Sequence, residues 1–228
     1  MTATVLVLRP QPGADETAAR ARAMGLTPVV APLFTVRPLA WEAPAAERFD
    51  AVMLTSANAV RHGGSGLHAF LHLPCYAVGE ATAAAAGGAG FGMVRSGDAD
   101  AAALLERMAA DGIGRALHLC GRERRADHHA SVQVTVVPVY ATEPTGGLTD
   151  AARLAIEDGA VALLHSPRAA MRFAALAGDA RSKVAVAAIS SAAAAAAGGG
   201  WRAAAAAAEP TDAALLELAA KLCQTERR

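Results

Sequence analysis

The stretch "FDAVMLTSANAVR" (Phe49–Arg61) returns later in the chain as "GAVALLHSPRAAMR" (Gly159–Arg172). Each copy runs from an apolar segment into a serine, Ser56 or Ser166, and then into small residues that suit a helix. A short apolar run, a polar corner and a helical pattern together indicate a buried strand, a turn and a helix. The sequence therefore predicts the same strand, corner and helix twice.

The correspondence between the two parts of the chain extends beyond this pair. Two further pairs lie at a separation of about 110 residues: Tyr76–Phe91 with Ala187–Trp201, and Asp100–Met108 with Asp212–Ala219. A steady separation indicates an internal repeat. A weaker match joins "LVLRP" near the start to "LHLCGR" in the middle, so the chain divides into blocks A, B, A′ and B′ in that order.

Short apolar runs alternate with alanine-rich helical segments throughout the chain. This alternation predicts parallel sheets covered by helices on both faces. The predicted strands are Thr4–Arg9, Pro28–Phe34, Ala51–Ser56, Cys75–Gly79, Gly92–Ser96, Arg115–Cys120, Gln133–Tyr140, Ala160–Ser166, Val184–Ser190 and Trp201–Ala206. The last of these has helix propensity throughout, but its repeat partner reads as a strand, so we predict a strand there.

The order of the blocks allows two domain arrangements. Tandem domains would pair A with B and A′ with B′, whereas exchanged domains would pair A with B′ and B with A′. In the exchanged case the chain crosses twice, through Thr35–Arg48 and Ala141–Asp150. Both segments contain proline, which fits extended linkers. Spacing alone does not choose between the arrangements.

Composition favours a globular protein and argues against nucleic-acid-binding and membrane-spanning classes. The chain has 228 residues, of which 54% are hydrophobic and 18% charged, as in a soluble globular protein with a real core. The formal net charge of zero argues against a nucleic-acid binder, and no apolar run approaches the length of a membrane helix. The N-terminus lacks a basic leader, and three distant cysteines indicate reduced thiols, so we expect a cytoplasmic location.

Polar residues stand where the predicted strands end and helices begin. Parallel strands end at one edge of a sheet, where ligands bind in such folds, and helix N-termini attract carboxylates and phosphates. The alternative is that each hydroxyl only caps its own helix. The six corners carry Thr55 with Ser56, Gly79 with Thr82, Ser166, Ser190 with Ser191, Arg9, and Arg122.

Several other patterns indicate structure more than chemistry. "GGAGFG" follows a helix instead of opening one, so it predicts a turn and not a dinucleotide site. His68 and His72 share a helical spacing, but with no third ligand near them in sequence we expect them to be exposed. Cys120 has no identifiable His/Asp partner and is expected to be a buried thiol.

Tyr140 closes a predicted strand just before the second crossing, and the chain has only two tyrosines. A phenol with an ordinary pKa near 10 stays protonated at neutral pH and can donate a proton to a leaving group. The alternative is a tyrosine packed against the linker with its hydroxyl in water.

Taken in order, the motifs resemble those of the uroporphyrinogen-III synthase family over nearly the whole chain. They are "LVLRP", "FDAVMLTSANAV", "YAVGEATA", "LCGRERR", "VPVYAT", "LLHSPRAA" and "EPTDAALLELA". The resemblance implies two similar α/β domains with exchanged connectivity, formed by residues 1–36 with 149–228 and by residues 37–148, with the active site in the cleft between them. It also implies a monomer that uses no metal or organic cofactor and meets the preceding pathway enzyme only transiently.

The reaction implied by the resemblance is the closure of hydroxymethylbilane, a linear tetrapyrrole with eight carboxylates, to uroporphyrinogen III. Water is lost and the last ring is inverted. Carried over by position, Tyr140 is the expected proton donor, and Ser56, Thr82, Ser166 and Ser190 are expected to line the cleft. Arg9, Arg122 and Arg168 are expected to add charge-assisted contacts to substrate carboxylates.

The sequence departs from the family pattern at two places. Alanines occupy positions 192 and 193, where a hydroxyl is commoner, so that corner offers only backbone N–H groups there. The segment from Arg122 to Pro138 is shorter than its counterpart from Arg9 to Pro32, so we expect its helix to be clipped or replaced by a loop. This shortening weakens the alignment of Arg122, Arg124 and Arg125 with substrate-binding positions of the family.

Of two rival functions, only the first is compatible with the residues. One is a non-catalytic two-domain module of the same architecture that binds anions or acts as a sensor. The other, a tandem pair of receiver-like domains, lacks the clustered acidic residues that metal-assisted phosphorylation requires.

Overall fold

The computed structural model describes residues 3–97, 100–123 and 128–225. Its strands are β1 (Thr4–Val7), β2 (Thr27–Val30), β3 (Phe34–Pro38), β4 (Ala51–Leu54), β5 (Cys75–Val78), β6 (Val94–Gly97), β7 (Arg115–Gly121), β8 (Gln133–Pro144), β9 (Val161–Leu164), β10 (Ala185–Ala188) and β11 (Ala203–Ala206). Its α-helices are α1 (Gly13–Ala23), α2 (Ala57–His62), α3 (Glu80–Gly88), α4 (Ala101–Ala110), α5 (Asp150–Glu157), α6 (Pro167–Ala177), α7 (Ser191–Ala197) and α8 (Asp212–Thr225). The chain forms two compact units: unit 1 contains residues 1–35 and 144–228, and unit 2 contains residues 36–143.

Unit 1 is built on a five-stranded sheet in the order β11-β10-β9-β1-β2, and its strands are parallel. Helices α1 and α8 cover one face with small apolar side chains such as Ala14, Ala18 and Leu215. Helices α5, α6 and α7 cover the other face, where Phe173 is the largest buried side chain of α6. Alanine dominates both layers, and its small side chain lets the helices lie close to the sheet.

Unit 2 is built on a six-stranded sheet in the order β3-β8-β7-β4-β5-β6. Helix α4 packs on one face through Leu104, Leu105 and Met108. Helices α2 and α3, with the 3-10 segment Gly64–Phe70, cover the other face. Both faces of the central strands are therefore buried, which explains their nearly continuous apolar sequence.

The two sheets confirm the internal repeat and the exchanged connectivity. Strands β1 and β2 share a sheet with β9, β10 and β11, while β7 and β8 share one with β4, β5 and β6. The register repeats as well: Val7 is opposite Leu163 in unit 1, and His118 is opposite Met53 in unit 2. The central pair β1–β9 therefore has the same geometry as the pair β7–β4.

All ten predicted strands are present, and the structure adds one. Strand β3 occupies the start of the predicted first crossing, and β8 continues to Pro144, beyond the predicted start of the second crossing at Ala141. Both crossings are thus partly strand, because their extended backbones pair, as where the Leu39 N–H donates to the Val139 carbonyl at 2.9 Å. Proline is tolerated there because β3 is an edge strand.

Two local expectations are also confirmed. The alanine run after Trp201 forms β11, beginning at Ala203, because it pairs with β10 along its whole length. The described residues between β7 and β8, at 122–123 and 128–132, contain no helix. Arg124 and Arg125 lie outside the described residues.

Candidate active site

Each unit has one place at the carboxyl edge of its sheet where the strand order reverses. In unit 1, β1 leads through α1 to β2, while β9 leads through α6 to β10 on the opposite side. Because α1 and α6 cover opposite faces, the ends of β1 and β9 form the switch point of this sheet. In unit 2 the strand order reverses between β4 and β7. Ligands of such sheets bind at these positions.

The serine corners are helix caps in both units. The Oγ atoms of Ser56, Ser166 and Ser190 accept hydrogen bonds from the backbone N–H groups of Asn58, Ala169 and Ala193, at 3.2, 3.1 and 3.3 Å. Each serine uses an oxygen lone pair for its cap, so its hydroxyl hydrogen remains available for donation to a further acceptor. Capping and ligand binding are therefore compatible at these corners.

The corner after β5 is built from backbone and not from a hydroxyl. Gly79 begins α3 with a φ of 75°, a left-handed conformation that glycine adopts without strain. Thr82 lies inside α3 with only 5% of its surface exposed, so it packs within unit 2 and does not extend from the corner.

Arg9 lies at the end of β1 within a network of polar side chains. Its Nη1 donates to Thr17 Oγ1 at 3.4 Å and lies 3.6 Å from Asp212 Oδ1. Asp212 also accepts from Thr17 Oγ1 at 2.8 Å, from His165 Nε2 at 2.7 Å and from Arg20 Nε at 2.8 Å. Burial alone would raise the pKa of Asp212, but the hydrogen bonds from His165 and Thr17 and the charge of Arg20 hold it far below its usual range.

Tyr140 lies in β8 of unit 2 with its ring against Gly121 of β7. A Cβ atom at Gly121 would lie 2.8 Å from the ring carbon Cζ and 3.0 Å from Oη, so only glycine leaves room for the ring. The Ser56 side chain interacts with the phenol and lowers its pKa. Burial raises the pKa of Tyr140, with smaller contributions from Cys120 and Glu123 in the same direction, and these outweigh the lowering by Ser56.

Two histidines of unit 2 lie close to this tyrosine or to its neighbouring strand end. The His62 ring lies 6.2 Å from the Tyr140 ring, centroid to centroid, and burial, with the charge of Arg61, lowers the pKa of His62. His118, almost fully buried in β7, is 3.1 Å from Thr55 Oγ1 through its Nε2 atom. The residues after β4, Thr55 and Ser56, therefore carry hydroxyl groups, and Tyr140 of β8 carries a phenol in the same unit.

The two remaining arginines occupy different settings. The guanidinium of Arg168, in the first turn of α6, lies over the Phe34 ring at 4.6 Å. Arg122 is exposed immediately after β7, and its backbone N–H donates to the Tyr140 carbonyl at 2.8 Å. The structure thus brings Tyr140, Ser56 and Arg122 together in unit 2, and it places Arg9, Ser166 and Arg168 in unit 1.

Sequence reasoning missed the partners of Arg9. Thr17, His165 and Asp212 were not singled out, although His165 stands directly before Ser166 and Asp212 opens a helix. His118 was missed as well because it alternates with leucines inside an apolar strand.

The expectations about His68, His72 and Cys120 are confirmed, whereas the glycine run is a turn only in part, because Gly87 and Gly88 end α3. His68 and His72 are exposed, Cys120 is buried, and residues 89–90 form a turn after α3. Within the described residues, no group of three or more His, Cys, Asp or Glu side chains is placed to hold a metal ion. No helix in the described part of the chain is long and apolar enough to cross a membrane.

Comparison with solved structures shows the same fold in two proteins. The uroporphyrinogen-III synthetase of Helicobacter pylori 26695 superposes with a TM-score of 0.67 at 18% identity, covering 97% of this chain and 100% of that one. A mutant uroporphyrinogen III synthase of the extremely thermophilic bacterium Thermus thermophilus gives a TM-score of 0.55 at 16% identity, covering 99% of this chain and 100% of that one. No curated protein sequence matches the chain.

The sequence itself matches a family model. The model described as uroporphyrinogen-III synthase HemD aligns with residues 15–217, most of the 228 residues. An alignment of that extent includes both units and all the corners described above except the one at Arg9. The chain therefore belongs to the uroporphyrinogen-III synthase family and is an enzyme of tetrapyrrole synthesis.

Proposed function

We propose that the protein acts as a hydro-lyase that closes hydroxymethylbilane to uroporphyrinogen III, with Tyr140 as the proton donor. The observation that carries this proposal is the setting of Tyr140: its ring lies against Gly121 of β7, its hydroxyl interacts with Ser56, and burial raises its pKa. A phenol whose pKa is raised stays protonated at neutral pH, as a general acid must.

The first step is the loss of the hydroxyl group of the substrate. The Tyr140 phenol gives its proton to the departing oxygen, the carbon–oxygen bond breaks, and water leaves a cationic methylene-pyrrole. The substituted carbon of the last ring attacks this cation first and becomes quaternary. The original bond from that carbon to its methylene bridge then breaks, which gives a second cationic methylene-pyrrole on the preceding ring. The unsubstituted carbon of the last ring bonds to that methylene and loses its proton, so the last ring is inverted. The proton lost when the macrocycle regains its aromatic pyrroles returns to the Tyr140 phenolate, so the net change is the loss of one water.

The cationic intermediate requires electrostatic stabilisation near the proton donor. Glu123 is close enough to Tyr140 to raise its pKa, and its Oε2 accepts from the Thr142 backbone N–H at 3.4 Å. A carboxylate held in this way favours positive charge in its surroundings. Glu123 therefore supports the cation without itself needing to move.

Orientation of the substrate is the second task of the protein, because the linear tetrapyrrole can close unaided to the non-inverted isomer. Substrate carboxylates suit the capped helix starts at Ser56, Ser166 and Ser190, with backbone N–H groups as donors. Arg9, Arg122 and Arg168 add charge-assisted hydrogen bonds, each stronger than a neutral one. Thr82 acts through packing at the start of α3, since it is buried. Holding the last ring in one orientation selects the attacking carbon.

The proposal includes the setting in which the enzyme works. We expect a cytoplasmic monomer that meets the enzyme supplying its substrate only transiently, because the substrate is a soluble octa-acid that closes spontaneously once released.

The deciding experiment adds the purified chain to freshly made hydroxymethylbilane and separates the porphyrin isomers after oxidation. The type III isomer, formed faster than the spontaneous reaction, is the expected product. If only type I appears, at the uncatalysed rate, the chain is a binding module of the same fold and not this enzyme.

A further inference from the structure

We infer that Thr17, Asp212 and Gly13 are positioning residues that fix the Arg9 guanidinium for binding a substrate carboxylate at the carboxyl edge of unit 1. The inference rests on the proposed function, in which Arg9 binds a carboxylate of the linear tetrapyrrole. It adds three residues to that site and explains how the arginine is held.

The guanidinium of Arg9 is confined on two sides. A Cβ atom at Gly13 would lie 2.7 Å from its Cζ, Nε and Nη2 atoms, so the planar group lies directly against the glycine backbone. Nη1 points towards Thr17 Oγ1 and Asp212 Oδ1. The side chain nevertheless keeps 32% of its surface exposed, which leaves part of the fork accessible to a ligand. A bidentate carboxylate contact needs this kind of fixed and partly open guanidinium.

Asp212 is a rigid partner because three other groups hold its carboxylate. Thr17 and His165 donate to Oδ1 and Arg20 donates to Oδ2, and only 14% of the aspartate side chain is exposed. An ionised carboxylate can only accept, so His165 Nε2 carries the shared hydrogen. Nδ1 of His165 is buried and has no hydrogen-bond partner among the described residues. The histidine therefore contacts the network through Nε2 alone and orients the aspartate.

The internal repeat shows that the fold does not require this network. Arg9 and His165 stand two residues beyond the opposed pair Val7 and Leu163. The equivalent positions in unit 2, two residues beyond His118 and Met53, are Cys120 and Thr55. Asp212 opens α8, whereas Ala101 opens α4, although both helices have a capping residue just before them. The paired strands and the helix α4 thus form in unit 2 without the arginine, the histidine or the aspartate, while the described residues of unit 2 contain no counterpart of α1, which carries Gly13 and Thr17.

The network is found in the copy of the repeat that has both Arg9 and α1, and it joins Arg9 to α1 and α8. Fixing the arginine in advance lowers the entropy lost when a carboxylate binds, which strengthens binding without adding contacts. The positioning residues therefore act on KM through Arg9, and not on the proton transfer at Tyr140.

The first test moves the guanidinium without removing any polar group. In Gly13→Ala the new methyl group occupies the place of the Arg9 guanidinium, so the arginine must shift, while α1 gains a better helix former. We expect KM for hydroxymethylbilane to rise about tenfold, equivalent to most of one charge-assisted hydrogen bond, with no loss of thermal stability. The matched control is Gly87→Ala in α3, where a Cβ atom meets nothing within 4 Å, and KM should stay as in the wild type. An unchanged KM in Gly13→Ala, or an equal rise in Gly87→Ala, overturns the inference.

The second test asks whether Asp212 acts through Arg9. Asp212→Asn and Arg9→Ala should each raise KM about tenfold while kcat stays within about twofold. In the double variant, Asp212→Asn should cause no further rise, because its effect depends on the arginine. Additive rises would mean that Asp212 does not position Arg9.

The outcomes separate the inference from the proposed function. If Arg9→Ala raises KM but Thr17→Val and Asp212→Asn do not, Arg9 binds substrate without these positioning residues and the inference fails alone. If the wild type yields no type III isomer, the proposed function fails instead. Asp50→Asn provides a control for the loss of an Asp–Arg ion pair elsewhere, since Asp50 binds Arg115 at 2.7 Å before β4, and its KM should be unchanged.

Discussion

Replacing Tyr140 by phenylalanine should remove catalysis while leaving the protein folded. The substitution deletes only Oη, and the ring keeps its place against Gly121. Loss of the interaction between the phenol and Ser56 should lower the free energy of unfolding by no more than about 1 kcal/mol. A positioned general acid contributes roughly 10²–10⁴ to a rate, so kcat for the type III product should fall by that factor. KM should change little, because we assign no substrate carboxylate to the phenol.

The assay is single-turnover formation of uroporphyrinogen III from freshly made hydroxymethylbilane, with both isomers quantified after oxidation. In the variant the spontaneous type I product should dominate. In the wild type, loss of the Tyr140 proton should not limit the rate below about pH 10, since the environment raises the pKa of this group above its ordinary value. Ser56 should tolerate replacement by threonine better than by alanine, since threonine keeps a hydroxyl for the cap and for the phenol.

Tyr76 provides the matched control for this substitution. It is the only other tyrosine in the sequence, its hydroxyl donates to Asp111 at 2.8 Å, and its pKa is also raised, first by burial and then by the Asp111 hydrogen bond. Tyr76→Phe should lower stability without lowering kcat, because Tyr76 is buried in β5. Full type III activity in Tyr140→Phe would refute the assignment of the proton donor, and an equal loss in Tyr76→Phe would attribute the effect to folding.

Three further predictions concern stability. The pKa of Asp212 is depressed in the folded state, so its ionised form stabilises the fold fully above the unfolded-state pKa of about 4, and this contribution is lost only as the pH falls through the depressed folded-state pKa. The deficit in melting temperature of Asp212→Asn should therefore be constant from pH 7 to about pH 5 and should shrink progressively as the pH is lowered below about 4. Gly79→Ala should lower the free energy of unfolding by about 1–2 kcal/mol, because φ is 75° there, while Gly88→Ala at the end of the same helix should not, as urea denaturation would show. Phe173→Ala should cost about 3–5 kcal/mol and change tryptophan fluorescence, because the buried ring is stacked on Trp201 at a centroid distance of 5.4 Å.

Much of the fold could be predicted because its information is local. An apolar run such as Val161–Leu164 and the serine that follows it indicate a strand and a capped helix without any knowledge of the rest of the chain. The exchange of strands between the units could not be predicted from spacing, because it depends on which strand lies beside which. Strand β3 was missed for the same reason: Phe34–Pro38 becomes a strand only by pairing with β8.

In the candidate site, too, residues set by local sequence could be predicted and residues paired by the topology could not. Helix caps at Ser56, Ser166 and Ser190 could be predicted from the residues that follow them, and each is a cap, while their part in substrate binding stays a prediction. The Arg9 network was missed because its members are far apart in sequence: Thr17 and Asp212 are separated by 195 positions. A residue-by-residue pattern cannot pair such groups before the topology is known.

The repeat gives a direct way to separate residues that build this fold from residues that give it a function. The paired strands β1–β9 and β7–β4 have equivalent register, so their backbones set the same positions at the carboxyl edge. At those positions unit 1 has Arg9 and His165, whereas unit 2 has Cys120 and Thr55. The backbone of the paired strands does not account for the difference, because it is shared, whereas α1 beside Arg9 has no counterpart in the described residues of unit 2. The difference therefore reflects distinct chemical tasks, with an ionic network in unit 1 and a neutral phenol and hydroxyl group in unit 2, and it is these divergent positions, more than the matching ones, that future substitutions should target.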